Sequence, residues 1–131
     1  MLKQISHLGV AVKNLEEARE FYLSVFGVES GEPMIGDSGA VRASLIELGN
    51  ATVELLEPVG GEGAIARFLE KHGEGIHHVC YEVDDIEAEL ESLKAKGLEI
   101  LGKPTPGAEG LSAFLHPRGT HGVFVELVQK E

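Results

Sequence analysis

Cysteine is almost missing from this chain. Cys80 stands alone, so no intrachain disulfide can form and the small secreted class stapled by disulfides is excluded. Tryptophan is absent, and aromatic residues reach only 5%. No apolar run approaches the roughly 20 residues of a membrane-spanning helix. The opening residues, Met1-Leu2-Lys3-Gln4-Ile5-Ser6-His7, alternate like a strand and do not resemble a cationic segment followed by a long apolar one. The expectation is a cytoplasmic protein with no targeting segment and no membrane partner. Basic residues are scarce as well: 11 Lys+Arg against 22 Asp+Glu leave a net charge of −11. A surface that acidic repels polyanions, so nucleic acid is excluded as the expected partner.

What remains is ordinary globular composition, 43% hydrophobic and 25% charged over 131 residues, enough for one domain with its own core. The 17 glycines are spread along the chain and mark tight turns, not low complexity. The informative feature is an internal repeat. His7-Leu8-Gly9-Val10-Ala11-Val12 is answered 71 residues later by His78-Val79-Cys80-Tyr81-Glu82-Val83. Asn14 and Asp85, separated by the same interval, are good helix N-caps, and acidic residues follow each where a helix dipole favours them. Both helices are expected to stop at glycine, Gly27 and Gly97. Near the end of each half comes one tetrad, Val53-Glu54-Leu55-Leu56 and Val125-Glu126-Leu127-Val128, 72 apart.

Each half reads as strand, helix, then three strands. In the first half, strands are expected near 4–12, 29–34, 41–48 and 52–57; in the second, near 77–83, 99–103, 111–115 and 123–128. Turn signals separate them at Gly36-Asp37-Ser38-Gly39, Gly49-Asn50, 104–107 and 116–122. A linker over 58–63 leads to a short helix, 64–72, whose Ile65, Phe68 and Leu69 recur at helical spacing. The expected fold is α+β in a single domain. Module one covers about 3–58, the linker and short helix 59–73, and module two 74–131. Two four-stranded sheets of this kind can pack or join edge to edge; a curved eight-stranded mixed sheet would enclose a cleft.

The repeat places four chemically able side chains at matched positions: His7 and His78 on the first strands, Glu54 and Glu126 on the last. Glu54 and Glu126 lie in nearly continuous apolar strands, and a carboxylate buried there must be neutralised, paired or metal-bound. Two imidazoles and two carboxylates suit one borderline dication, Zn2+, Ni2+, Co2+ or Mn2+, with open positions for water or substrate. The plainer alternative points each Glu outward and makes each His structural.

Duplicated βαβββ halves carrying His7, Glu54, His78 and Glu126 resemble the vicinal oxygen chelate superfamily, which includes glyoxalase I, extradiol dioxygenases, antibiotic-resistance proteins and methylmalonyl-CoA epimerases. The resemblance covers essentially the whole chain. Three stretches look most like the epimerase branch: His7 to Val12, Phe68 through His78 to Ile86, and Phe114-Leu115-His116-Pro117-Arg118 through Gly122 to Leu127. Glyoxalase I typically closes with an Asp-Pro-Asp-Gly turn where this chain has His116-Pro117-Arg118-Gly119-Thr120-His121-Gly122.

The resemblance implies a metal site of His7, Glu54, His78 and Glu126, one ion per subunit with Co2+ first and Ni2+, Mn2+ or Zn2+ as alternatives, and a homodimer. It implies epimerisation of (R)- and (S)-methylmalonyl-CoA, an acyl-CoA substrate of propionyl-CoA metabolism, through a metal-stabilised enolate. Glu126 is then one proton-transfer residue and Glu54 the second. The alternatives are a lactoylglutathione lyase of the glyoxalase I type and a non-catalytic protein that sequesters a drug or metabolite. Two departures stand out. Where some relatives carry a further Glu on the third strand, this chain has Arg42 or Ala43, and a common Gly-Ala-His-Gly-Lys is replaced by Gly107-Ala108-Glu109-Gly110-Leu111. His77, His116 and His121 are expected to be structural or solvated, with His116 also a candidate for substrate contact. Cys80 should be packing, and Arg118, Lys103 and Arg42 are the first cations to consider for phosphate.

Overall fold

The computed structural model describes residues 1–36, 40–107 and 109–131. Asp37, Ser38 and Gly39, most of one expected turn, lie outside the described residues, as does Ala108. Among the described residues the elements follow the order β1 (Gln4–Ala11), α1 (Leu15–Phe26), β2 (Met34–Ile35), β3 (Val41–Glu47), β4 (Thr52–Pro58), α2 (Ala64–His72), β5 (Gly75–Glu82), α3 (Ile86–Ala95), β6 (Ile100–Pro106), β7 (Gly110–Leu115) and β8 (Val125–Lys130), with a 3₁₀ turn at Pro117–Gly119. The strands hydrogen-bond in the order β2-β3-β4-β1-β5-β8-β7-β6. The β5–β8 pair is parallel, whereas β2–β3, β3–β4, β6–β7 and β7–β8 are antiparallel, so the eight-stranded sheet is mixed, as expected. No helix among the described residues is long and apolar enough to cross a membrane.

The chain forms two compact units, one of Leu8–His77 and one of Met1–His7 with His78–Glu131. In the first, the Asn14 side chain accepts from the Glu17 N–H at 2.9 Å and starts α1; Gly27, at φ 69°, ends it by donating to Leu23 O. Val12, Leu15, Ile46 and Leu55 bury one core cluster, and Ala11, Ala43, Leu56 and Ile65 another. The second expected strand is cut to two residues. Pro33 has no N–H for a ladder, and the preceding chain is tied to β3 by single bonds, Gly31 N–H to Leu45 O and Ser44 Oγ–H to Gly31 O.

In the second unit, Asp85 caps α3 through the Ala88 N–H at 3.1 Å, and the helix ends one residue before the expected stop, with Lys96 in the cap position. Val83, Ile86, Leu90, Ala113, Leu115, Val125 and Leu127 form its core between α3 and one face of β5, β7 and β8. Here β6 ends three residues later than expected. Pro104 and Pro106 are tolerated because β6 is an edge strand, irregular in register between Leu101 and Thr105.

Candidate metal centre

Alternation decides which side chains reach the face of this unit opposite α3. Along β8, Val125 and Leu127 turn into the core, so Glu126 turns away from it. The parallel register sets Cys80 beside Glu126, and His78, two residues before Cys80, shares its face of β5. Phe114 lies opposite Glu126 on β7; its ring stands edge-on to His78 at 6.1 Å and stacks on Phe124 at 5.1 Å. His7 arrives on β1, whose start is bound to the same unit by Lys3 N–H to Glu82 O just before the strand and by Gln4 Nε2–H to Glu82 Oε2.

Three of the four expected ligands therefore meet inside one unit. His7 Nε2 and His78 Nε2 are 3.0 Å apart, and Glu126 Oε1 lies 3.2 Å from the first and 3.3 Å from the second. Both histidines are 6% exposed. Metal–nitrogen bonds of 2.0–2.1 Å place neighbouring donors about 3.0 Å apart at right angles and about 3.4 Å apart in a tetrahedron. The observed triangle falls within that range, so the donor set fits a divalent ion. Glu54 stands half-buried on β4 of the other unit, opposite Leu45 in the β3 register, next to buried Leu55.

The protonation of this cluster follows from its partners. Burial works against an imidazolium at His7, but its hydrogen bonds with Cys80, Glu109 and Glu126 prevail and raise its pKa to about 12. Burial works in the opposite sense on Glu126, and hydrogen bonds with His7 and His78 outweigh it, holding the carboxyl at about 2. Cys80, fully buried, is pushed up to about 11 by that burial. It also lies beside the cluster: one ligand atom each of His7, Cys80 and Glu109 lies within 4.8 Å of the others. Glu109 was marked in the sequence only as a departure from the common loop pattern, not as a partner of His7. Its carboxylate accepts from His7 Nδ1–H at 2.7 Å and is held below the usual range chiefly by that bond.

The remaining expected residues have other work. His77 sets its ring edge-on against Phe68 of α2 at 5.1 Å. His116 accepts the Arg118 N–H on Nδ1 at 3.0 Å and starts the 3₁₀ turn, and His121 occupies a left-handed backbone position at φ 56°. Arg42 is paired with Glu57 at 2.8 Å and Glu16 at 3.0 Å, Arg118 with Glu99 at 3.1 Å, and Lys103 is exposed on β6.

Residues 6–114 match the glyoxalase/bleomycin resistance protein/dioxygenase superfamily, and the chain belongs to it. It is 44% identical to the mitochondrial methylmalonyl-CoA epimerase of Bos taurus, over 98% of this chain and 75% of that protein. Against the ethylmalonyl-CoA/methylmalonyl-CoA epimerase of Cereibacter sphaeroides it is 42% identical, covering 98% of this chain and 99% of that one. A solved methylmalonyl-CoA epimerase in complex with methylmalonyl-CoA and NH4+ superposes with a TM-score of 0.91 at 32% identity, over 99% of this chain and 96% of that one. Within the superfamily its place is among the methylmalonyl-CoA epimerases, isomerases that act on a CoA thioester.

Proposed function

We propose that the chain interconverts the epimers of methylmalonyl-CoA at one divalent cation held by His7, His78 and Glu126, with Glu54, the repeat counterpart of Glu126, as fourth ligand. The observation that carries this reading is the triangle of two imidazole nitrogens and one carboxylate oxygen with sides of 3.0, 3.2 and 3.3 Å. Nitrogen and oxygen donors suit borderline ions, Co2+ first, with Ni2+, Mn2+ and Zn2+ as alternatives. A dication bound there supplies positive charge where negative charge develops as the α-proton leaves.

The acidic carbon of the substrate lies between a thioester and a carboxylate, so one group must take its proton and another return one on the opposite face. We assign the first role to Glu126, which is ionised and therefore able to accept. Held by two imidazoles it is a weak base; loosened from them, it keeps the burial that raises its affinity for a proton. Glu54 is the second candidate by its repeat position. The same reading makes the enzyme a cytoplasmic homodimer of propionyl-CoA metabolism. Exposed Phe21, Val25 and Phe26 on α1 support a surface that a partner covers.

The test is exchange of solvent deuterium into the α-carbon of methylmalonyl-CoA by metal-loaded protein. Exchange is expected, and Glu126→Gln should cut it by roughly 10²–10⁴-fold while the circular dichroism spectrum is unchanged. No exchange, alongside turnover of the methylglyoxal–glutathione adduct, would overturn the epimerase assignment in favour of a lyase.

A further inference from the structure

His7 has a second ring nitrogen, and its partner is as well built as the triangle on the other side. Nδ1–H donates to Glu109 Oε1 at 2.7 Å. The second oxygen of that carboxylate accepts from Ser6 Oγ–H at 2.8 Å, and Lys130 Nζ lies 3.9 Å from it. Ser6 is 4% exposed. The backbone under Glu109 is fixed as well. Gly107 N–H donates to Gly110 O at 2.8 Å, and Gly110 N–H returns to Gly107 O at 3.3 Å. Gly110 packs so close to β8 that an added Cβ would stand 2.2 Å from Gln129 O.

An imidazole whose Nδ1 carries its proton offers a lone pair on Nε2, the atom that faces His78 and Glu126. We infer that Glu109 is a positioning residue: through the Nδ1–H bond it fixes the tautomer and ring orientation of His7 and so presents Nε2 to the cation. This rests on the metal reading above. The carboxylate also makes the ring a more basic ligand, an arrangement whose loss costs typically 10–100-fold in metal affinity. Ser6 acts one step further out, holding the free oxygen of Glu109 so that the other stays aimed at His7.

The experiment pairs two readouts on the full chain. Co2+ titration, followed by visible absorption, gives the affinity of wild type, Glu109→Gln and Glu109→Ala. In metal-free samples, 15N-resolved NMR follows the His7 Nδ1–H proton and its exchange with solvent. Wild type should bind one Co2+; Glu109→Ala should bind roughly 10–100-fold more weakly, with Glu109→Gln, which keeps an acceptor but not the charge, between them. The protected Nδ1–H signal should persist in wild type and Glu109→Gln and be lost in Glu109→Ala. Wild-type affinity together with an intact Nδ1–H signal in Glu109→Ala overturns this inference alone. A wild type that takes up no Co2+ overturns the metal reading and this inference with it.

Discussion

His7 meets several reactive groups of the second unit at once: Glu109 on one nitrogen, Glu126 and His78 on the other, and Cys80 nearby. Its imidazolium, favoured up to about 12 against an ordinary 6.5, stabilises the metal-free fold fully below pH 6.5, and that contribution is lost as pH rises toward 12. Glu126 runs the other way. Its folded value of about 2 lies below the ordinary 4.5, so the carboxylate stabilises above pH 4.5 and stops doing so as pH falls toward 2. Thermal melts of metal-free protein should therefore show a falling melting temperature below pH 4.5 and a shallower fall for Glu126→Gln; equal slopes would remove the coupling. His7, His78 and Glu126 were legible because the repeat marks them. The role of Glu109 was not, because its contact with His7 spans 102 residues. The i, i+2 spacing of His78 and Cys80 put both on one face, yet nothing local revealed that the thiol would meet His7.

Helices and strands were readable wherever local chemistry set their ends. Asn14 and Asp85 make the N-cap bonds their residue types favour, and α2 covers the expected residues. Strand ends were less readable where tertiary contacts set them. The segment before Met34 looks like a strand but is held by single bonds, and β6 continues through two prolines because it is the edge strand of the sheet. Gly110 shows the same dependence on a neighbour. Its φ of 144° and the 2.2 Å approach of Gln129 O to a virtual Cβ both exclude a side chain. Gly110→Ala must move backbone at the β7–β8 pair and is expected to cost at least about 1–3 kcal/mol. It should also weaken Co2+ binding, since Glu109 is its neighbour; urea denaturation and metal titration read the two effects separately, and an unchanged urea midpoint would show that β8 yields.

Across the whole chain, the duplication was the most legible feature. In each half the strand order within the sheet is first, fourth, third, second, and the matched histidines and carboxylates occupy matched strands. The net charge of −11 carries a consequence for a CoA thioester, itself an anion. The two arginines nominated for phosphate already face carboxylates, Arg42 with Glu16 and Glu57, Arg118 with Glu99. Association with methylmalonyl-CoA is then opposed by long-range repulsion that salt screens. The expected outcome is a kcat/KM that rises from low to moderate ionic strength in steady-state assays; a fall would reveal a local basic patch that outweighs the net charge.

The proposed centre is one cation gripped by histidines from both halves of the repeat. X-ray absorption at the cobalt edge of Co2+-loaded protein reports the coordinating atoms themselves. The geometry predicts a shell with the scattering of two imidazoles and the remaining positions filled by oxygen. A shell of oxygen alone, with no imidazole, would contradict it.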